Sequence, residues 1–143
     1  MNLYAESSAV LAWLLGEDTA DAVREVLTDA ETVLTSDLTL LECDRVIIRA
    51  TALGHLTEAQ GADRHAHLNA AAAGWHVMRV GREIVERSRR PFPGEPIRAL
   101  DAIHLASAMV ARHAVPGLDL LSLDDRIRTA ARQLGMRLQP RAN

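Results

Sequence analysis

The stretch RALDAIHLASA, residues 98–108, predicts an apolar helix that carries a single carboxylate near its start. Alanine, leucine and isoleucine flank Asp101, so burying its charge would be costly unless it is paired or bound to a metal ion. His104 lies one turn later on the same face. It could touch the site of Asp101, but the residues alone favour a hydrogen bond within the core. The stretch therefore predicts a buried acid with a function.

Outside this stretch, short β-type segments alternate with helical segments. The β-type segments are rich in β-branched and apolar residues, and capping or helix-breaking residues separate them from the helices. The predicted strands are 1–5, 32–35, 75–80, 118–121 and 136–138. This alternation is typical of an α/β fold with a central, mainly parallel β-sheet of four to five strands and helices on both faces. We expect residues 1–143 to form a single domain.

Polar and helix-breaking residues mark the ends of the predicted helices. Ser7 or Ser8 is expected to cap the first helix, and Thr57 to open the fourth. The proline-rich segment 91–96 is interpreted as an insertion point or a mobile lip rather than a domain boundary.

The composition excludes several classes of protein. The 143 residues are 48% hydrophobic and 24% charged, as in an ordinary globular domain and unlike a disordered tail. Apolar runs fall short of the ~20 residues that cross a bilayer, and a secretory signal pattern is missing, so we expect a cytoplasmic protein. The net charge is −3 and every basic residue is Arg, so bulk charge does not indicate a nucleic-acid binder. A single cysteine, Cys43, excludes an internal disulfide.

Four acidic residues are expected near the carboxyl ends of the strands, where ligands bind in sheets of this kind. Glu6 directly follows the first strand, Glu42 lies about two turns into the helix after the second, and Asp124 opens the helix after the fourth. Together with Asp101 they would supply the oxygen ligands that suit Mg²⁺ or Mn²⁺, which favours metal-assisted phosphodiester hydrolysis. Taken singly, Asp124 could be a helix cap, Glu42 a solvated helix residue and Glu6 a first-turn acid.

Four segments resemble the PIN-domain ribonucleases and, within them, the VapC-type toxins of bacterial toxin–antitoxin pairs. They are LYAESSAVL (3–11), TSDLTLLE (35–42), RALDAIHLASA (98–108) and LSLDDR (121–126). The third is the most specific, since its Leu-Asp-Ala-x-His-Leu-Ala run is rare elsewhere. The order and spacing of the four segments follow the family over almost the whole chain.

The resemblance implies a PIN-like fold and an Mg²⁺-dependent endoribonuclease, with Mn²⁺ as the other candidate ion. A cognate VapB-type antitoxin would hold the enzyme inactive. RNA would be the substrate, a second copy of the chain would complete a homodimer, and operator DNA would be reached only through the antitoxin. Such a protein would have no membrane partner.

The resemblance also assigns roles to individual residues. The acidic quartet would consist of Glu6, Glu42, Asp101 and Asp124. Glu6, Asp101 and Asp124 would hold the metal, and Glu42 would position the attacking water or a second cation. Ser122 would orient an acid or contact the scissile phosphate, and Ser8 would support the first carboxylate. Asp125 is the alternative to Asp124, which the hydroxyl-x-Asp spacing favours.

One residue departs from the family pattern. The first acid of the family is usually Asp, whereas this chain has Glu6, which is one methylene longer. Mg²⁺ demands near-octahedral geometry at about 2.0–2.1 Å, so the extra length could reduce activity, favour Mn²⁺ or abolish cleavage. The alternative function is therefore a catalytically weakened PIN domain that acts as a binding or repressor component of an antitoxin–DNA complex. A response-regulator-like phosphoacceptor domain fits poorly because the chain has no Lys.

Overall fold

The computed structural model describes residues 1–141 and contains a five-stranded parallel sheet. The strands are β1 (Asn2–Ala5), β2 (Thr32–Ser36), β3 (His76–Met78), β4 (Asp119–Leu121) and β5 (Arg137–Gln139). Their order across the sheet is β3-β2-β1-β4-β5, and every neighbouring pair is parallel. The sheet therefore agrees with the parallel α/β fold predicted from the sequence.

Seven helices connect the strands within this part of the chain. They are α1 (Ser7–Leu15), α2 (Ala20–Asp29), α3 (Asp37–Ala52), α4 (Glu58–Ala72), α5 (Arg82–Ser88), α6 (Ala99–Ala114) and α7 (Asp125–Gln133). No helix within residues 1–141 is both long enough and apolar enough to cross a membrane.

A separate hydrophobic core covers each face of the sheet, because successive residues of a strand point to opposite faces. Leu3, Tyr4 and Ala5 of the central strand have no exposed surface. Leu3 and Ala5 pack with buried side chains of α1 to α4, whereas Tyr4 packs with those of α5 to α7. The expected helices on both faces are therefore observed.

The predicted bounds differ from the structure by one or two residues at most element ends, and two elements are shorter than predicted at both ends. The third strand is His76–Met78 instead of 75–80. It pairs with β2 up to Ser36, where β2 ends and α3 begins, so residues after Met78 have no strand to pair with. The helix α5 is also shorter than the segment 81–90 predicted for it.

The strand order places a switch point at the carboxyl end of β1. The chain passes from β1 to β2 on one side and reaches β4 on the other. In open parallel sheets, ligands bind in the crevice outside the carboxyl ends of the strands at such a point. Glu6 directly follows β1 and Ser122 directly follows β4, so both residues lie at this crevice.

Candidate active site

Glu6 lies where β1 ends and α1 begins. Its backbone is extended, with φ −94° and ψ 154°, and its amide donates to the Leu121 carbonyl at 2.9 Å. The side chain is only 2% exposed and accepts a hydrogen bond from the Ser8 amide at 3.1 Å. Glu6 is therefore the N-cap of α1, and the expectation that Ser7 or Ser8 caps this helix is wrong. Neither hydroxyl serves as a cap, because both donate to carboxylates instead.

Three serine hydroxyls surround the Glu6 carboxylate. Ser7 Oγ donates to Glu6 Oε1 at 2.8 Å, and Ser122 Oγ donates to Glu6 Oε2 at 2.7 Å. Ser8 Oγ also donates to Oε2. Ser8 thus lies against the first acid, as expected, and Ser122, for which an acid or the scissile phosphate was the expected partner, lies against the same acid. Ser7 was missed, although its position beside Glu6 in a Ser-Ser pair was a signal.

The same two serines hold the segment that leads to Asp124. The Leu123 amide donates to Ser8 Oγ at 2.9 Å, and the Asp124 amide donates to Ser122 Oγ at 3.2 Å. Asp124 Oδ1 accepts from the Ile127 amide at 3.0 Å and so caps α7. The cap interpretation of Asp124 therefore holds for one oxygen, while Oδ2 forms no hydrogen bond within the described chain.

Glu42 and His104 meet beside Glu6. Glu42 Oε1 accepts from Ser7 Oγ at 3.2 Å and from His104 Nε2. The same ring nitrogen lies 3.8 Å from Glu6 Oε1. His104 is 2% exposed, so it is buried as the sequence predicted, but its partners are the carboxylates of the site. The expected hydrogen bond within the core is thus a hydrogen bond within the site, and the spacing of three residues from Asp101 is the sequence signal for it.

The pKa values of His104 and Glu42 are both shifted in the direction that favours the charged side chain. Burial alone would lower the pKa of His104, but its hydrogen bond to Glu42 and the charges of Glu6, Glu42 and Asp101 raise it above its usual value. Burial would raise the pKa of Glu42, but the hydrogen bond and charge of His104, with the hydrogen bond from Ser7, lower it. His104 therefore acts as the counter-charge on this side of the site.

Asp101 lies in the first turn of α6 and is half-buried. Its pKa is raised, first by burial and next by the charge of Asp124, with smaller contributions from Glu6 and Glu42. The charges of Glu6, Glu42 and Asp124 therefore all act on Asp101, and we call Glu6, Glu42, Asp101 and Asp124 the acidic cluster. Negative charges gathered in this way attract cations.

The free oxygens of the cluster suit a hard divalent cation. The Asp101 carboxylate and Asp124 Oδ2 accept no hydrogen bonds from the described residues, so their lone pairs are available. Mg²⁺ is commonly held by one or two carboxylates, its remaining positions being taken by water and substrate phosphate. Residues 1–141 contain no group of three or more acidic, histidine or cysteine side chains arranged to hold a metal. Asp101 and Asp124, whose charges act on each other, therefore supply the carboxylate oxygens that the described residues leave without a donor.

The arginines that follow Asp124 differ in their surroundings. Arg128 donates to the carbonyls of Ser122, Gln139 and Pro140 at 2.7 to 3.0 Å, so it ties α7 to the ends of β4 and β5. Burial and the neighbouring Arg132 lower its pKa. Arg126 is exposed and forms no ion pair or side-chain hydrogen bond with residues 1–141. Its guanidinium is free to bind an anion.

Comparison with known proteins agrees with this arrangement. The PIN domain family matches residues 3–133. Ribonuclease VapC46 of Mycobacterium tuberculosis is 32% identical over 134 residues, which cover 94% of this chain and 93% of the relative.

Solved structures share the fold at low identity. Mycobacterium tuberculosis VapC20, described as a sarcin–ricin loop cleaving toxin, superimposes with a TM-score of 0.66 at 13% identity, over 90% of this chain and 95% of its own. VapBC2 of Rickettsia felis, bound to a DNA fragment from its promoter, superimposes with a TM-score of 0.63 at 9% identity. The match covers 97% of this chain and 98% of that structure's chain. Taken with the family match and the 32% identity to a VapC ribonuclease, these findings show that the chain belongs to the PIN-domain family and, within it, to the VapC-type ribonucleases.

Proposed function

We propose that this chain is a metal-dependent endoribonuclease toxin that a cognate VapB-type antitoxin neutralises. The observation that carries the proposal is the acidic cluster at the switch point of a PIN-type sheet, in a chain 32% identical to a ribonuclease. Acidic residues at such a crevice are the usual equipment of metal-assisted phosphodiester hydrolysis. The protein would act in the cytoplasm as a single PIN domain, 1–143, on RNA.

Asp101 and Asp124 would hold Mg²⁺, or Mn²⁺, through their free oxygens. When bound, the ion supplies an activated water and charge stabilisation at the phosphate. The resemblance assigns Glu6 to the ion as well. Both oxygens of Glu6, however, already accept hydrogen bonds from serine hydroxyls or an amide, so ligation by Glu6 would require breaking one of them.

Other side chains would orient the reactants. Glu42 Oε1 is engaged by Ser7 and His104, which leaves Oε2 to orient the attacking water or a second cation. Ser122 would orient the first acid rather than contact the phosphate, because its proton is given to Glu6. Arg126, free of other partners in the described chain, would bind a neighbouring RNA phosphate.

The structural relative from Rickettsia felis, a VapBC2 complex on promoter DNA, supports an antitoxin as partner. We propose that an antitoxin segment binds the groove lined by Leu15, Val46, Leu53 and Leu56, which has a volume of about 460 Å³. We also propose a homodimer, with operator DNA contacted only through the antitoxin.

A second candidate function is a catalytically weakened PIN domain that acts mainly as a repressor component of an antitoxin–DNA complex. Glu6 favours this candidate, because its carboxylate is buried at 2% exposure and fully hydrogen-bonded. The two candidates differ in one observable property, which is metal-dependent cleavage of RNA.

The test is cleavage of total cellular RNA by the purified, antitoxin-free protein with EDTA, Mg²⁺ or Mn²⁺. Discrete metal-dependent fragments are expected, and Asp101→Asn should lower their rate by at least about 100-fold, in the range of a lost catalytic group. Asp125→Asn is the matched control, because Asp125 is an exposed acid beside Asp124, and it should cut within about twofold of wild type. A wild type that cuts nothing with any metal supports the repressor candidate instead.

A further inference from the structure

We propose that Glu6 is the positioning residue of the acidic cluster and not a metal ligand. It holds Asp124 and Glu42 in place through three serine hydroxyls, and the metal is left to Asp101 and Asp124. The inference rests on the proposed metal-dependent function of this site. It assigns to the first acid a role different from the one that the family resemblance implies.

The lone pairs of the Glu6 carboxylate are all engaged. A carboxylate offers about four acceptor positions, two on each oxygen. Oε1 accepts from Ser7 Oγ at 2.8 Å and from the Ser8 amide at 3.1 Å. Oε2 accepts from Ser122 Oγ at 2.7 Å and from Ser8 Oγ. At 2% exposure the side chain has no open side at which an ion with its waters could approach.

Two of these hydrogen bonds extend through the serines to the backbone before Asp124. Ser8 Oγ accepts from the Leu123 amide at 2.9 Å, and Ser122 Oγ accepts from the Asp124 amide at 3.2 Å. Each hydroxyl has a single proton, which it gives to Glu6 Oε2. In both series of hydrogen bonds, each serine therefore donates to Glu6 and accepts from a backbone amide. The position of Asp124 thus depends on the charge of Glu6.

A third connection reaches Glu42. Ser7 Oγ lies 2.8 Å from Glu6 Oε1 and 3.2 Å from Glu42 Oε1, so its proton is shared between two carboxylates. His104 Nε2 contacts Glu42 Oε1 and lies 3.8 Å from Glu6 Oε1 on the other side. Ser7 and His104 together hold two negative groups close to each other, and this leaves only Oε2 of Glu42 free.

The length of the side chain explains the departure from Asp at this position. An Asp would place its carboxylate one carbon–carbon bond, about 1.5 Å, closer to the backbone. It would still cap α1, because Asp is a good N-cap residue. It would not keep the contact with Ser122, which follows the neighbouring strand β4. The Glu side chain is long enough to cap its own helix and to reach across to β4.

Counting the waters on bound Mn²⁺ tests the inference. The number of water ligands is measured at saturating protein by electron–nuclear double resonance in H₂¹⁷O, for wild type, Glu6→Gln and Asp101→Asn. We expect Glu6→Gln to keep the wild-type count and Asp101→Asn to gain one water, because a lost carboxylate ligand is replaced by water. One extra water on Glu6→Gln would overturn the inference, since it would show that Glu6 was a ligand.

The affinity for Mn²⁺, measured by calorimetry, distinguishes a residue that positions the metal ligands from a residue that only stabilises the fold. Glu6→Gln should weaken Mn²⁺ binding by about tenfold, as loss of a residue behind the ligands does. Asp119→Asn is the matched control: Asp119 is another buried acid, 3% exposed, held by Arg137 at 2.7 Å and Gln139 at 2.9 Å at the opposite end of β4. It should lower Tm by about 3 °C or more and leave the Mn²⁺ affinity unchanged. Equal affinity in Glu6→Gln and wild type would contradict the positioning role.

Glu6→Asp is the second variant should Glu6→Gln fail to fold. The inference expects it to fold, to lose Tm, and to bind Mn²⁺ no more tightly than wild type with the same water count. Weaker binding with one water more than wild type would show that Glu6 was a ligand and would overturn the inference. A wild type that binds no Mn²⁺ at all contradicts the proposed function and removes the ligand assignment with it, whereas a wild type that binds Mn²⁺ through Glu6 contradicts only the inference.

Discussion

The two ring nitrogens of His104 have different surroundings: one is close to the carboxylates of Glu42 and Glu6, and the other has no partner among the described residues. Nε2 contacts Glu42, while the buried Nδ1 forms no hydrogen bond within the described chain. A buried polar atom without a partner costs about 1–3 kcal/mol. The neighbouring carboxylates attract the ring only in its charged form, so His104 contributes to stability chiefly when it is charged.

The stability of the metal-free protein should therefore depend on the charge of His104. Its pKa is raised above 6.5, so the contribution is complete below pH 6.5 and is lost as the pH rises through the folded value. Each unit of pKa difference corresponds to about 1.4 kcal/mol. Urea unfolding in EDTA between pH 5.5 and 9 should show this fall for wild type and not for His104→Gln. His55→Gln, at an exposed position, is the control and should keep the wild-type slope. An unchanged slope in His104→Gln would contradict the prediction.

The charge of Asp101 should have the opposite effect on stability from the charge of His104. Burial and the charge of Asp124 raise its pKa, so its ionised form opposes folding when no metal is present. Asp101→Asn should stabilise the metal-free protein by roughly 0.5 kcal/mol, a small figure because the half-buried charge is screened by solvent. The measurement is urea unfolding at pH 7 in EDTA. A destabilised variant would mean that Asp101 has a favourable partner in the folded state.

Residue identity and spacing predicted which acids would lie near the crevice, but not how each would be held. Glu6, Glu42 and Asp124 were identifiable because each follows a strand or its helix at a regular place. The hydrogen-bond directions were not, because they depend on side-chain rotamers on different elements. Ser7 shows this: a hydroxyl in a Ser-Ser pair could cap a helix, and only the packing against Glu42 gives its proton to the carboxylates.

At the scale of elements, the connection between α5 and α6 is held by side chains rather than by regular structure. The Glu95 carboxylate accepts from the amides of Phe92 at 3.0 Å and Ile97 at 2.7 Å. Phe92 is 5% exposed and lies under the Arg87 guanidinium, 4.0 Å from the ring centre. These contacts fasten the segment interpreted from its prolines as a mobile lip, and they hold the entry into α6, which carries Asp101.

Removing the Glu95 carboxylate should loosen this connection without unfolding the protein. Hydrogen bonds to charged groups contribute about 1.5–3 kcal/mol, so the Phe92 and Ile97 amides should exchange with solvent about 10- to 100-fold faster in Glu95→Ala. Hydrogen exchange followed by NMR measures each amide separately. Glu86→Ala, on the exposed surface of α5, is the control and should leave both rates unchanged. Wild-type rates in Glu95→Ala would mean that other contacts hold the segment.

The helix ends show where sequence patterns suffice and where they do not. Thr57 was expected to open a helix, and the structure has a complete capping box there, with Thr57 and Gln60 exchanging hydrogen bonds at 2.9 and 3.1 Å. That motif is local, so four consecutive residues determine it. The start of α1 is not local, because the serines beside Glu6 have partners on α3 and beyond β4. Sequence-local reasoning fails at the functional site for this reason.

At the scale of the whole molecule, the two faces of the sheet are covered while the outer side of α3 is not. Val46 and Leu53 are 37% and 55% exposed and line a groove with Leu15 and Leu56. Apolar side chains exposed side by side in this way are available to a partner, and this is the basis for proposing that an antitoxin segment binds here. The groove lies on the outer side of the helix that carries Glu42, so a bound segment could neutralise the toxin from a face that also contributes to the acidic cluster.

A charge in this groove should weaken antitoxin binding and spare the enzyme. Leu53→Asp buries an unpaired carboxylate in the complex, so calorimetry with the cognate antitoxin should show a Kd about tenfold higher or more. RNA cleavage and Tm should match wild type, because the Leu53 side chain is 55% exposed in the free chain. Val85→Asp, at a 44% exposed position on α5, is the control and should bind as wild type does. If Leu53→Asp instead dissociates a dimer and leaves the Kd unchanged, the groove is a contact between two copies of the chain.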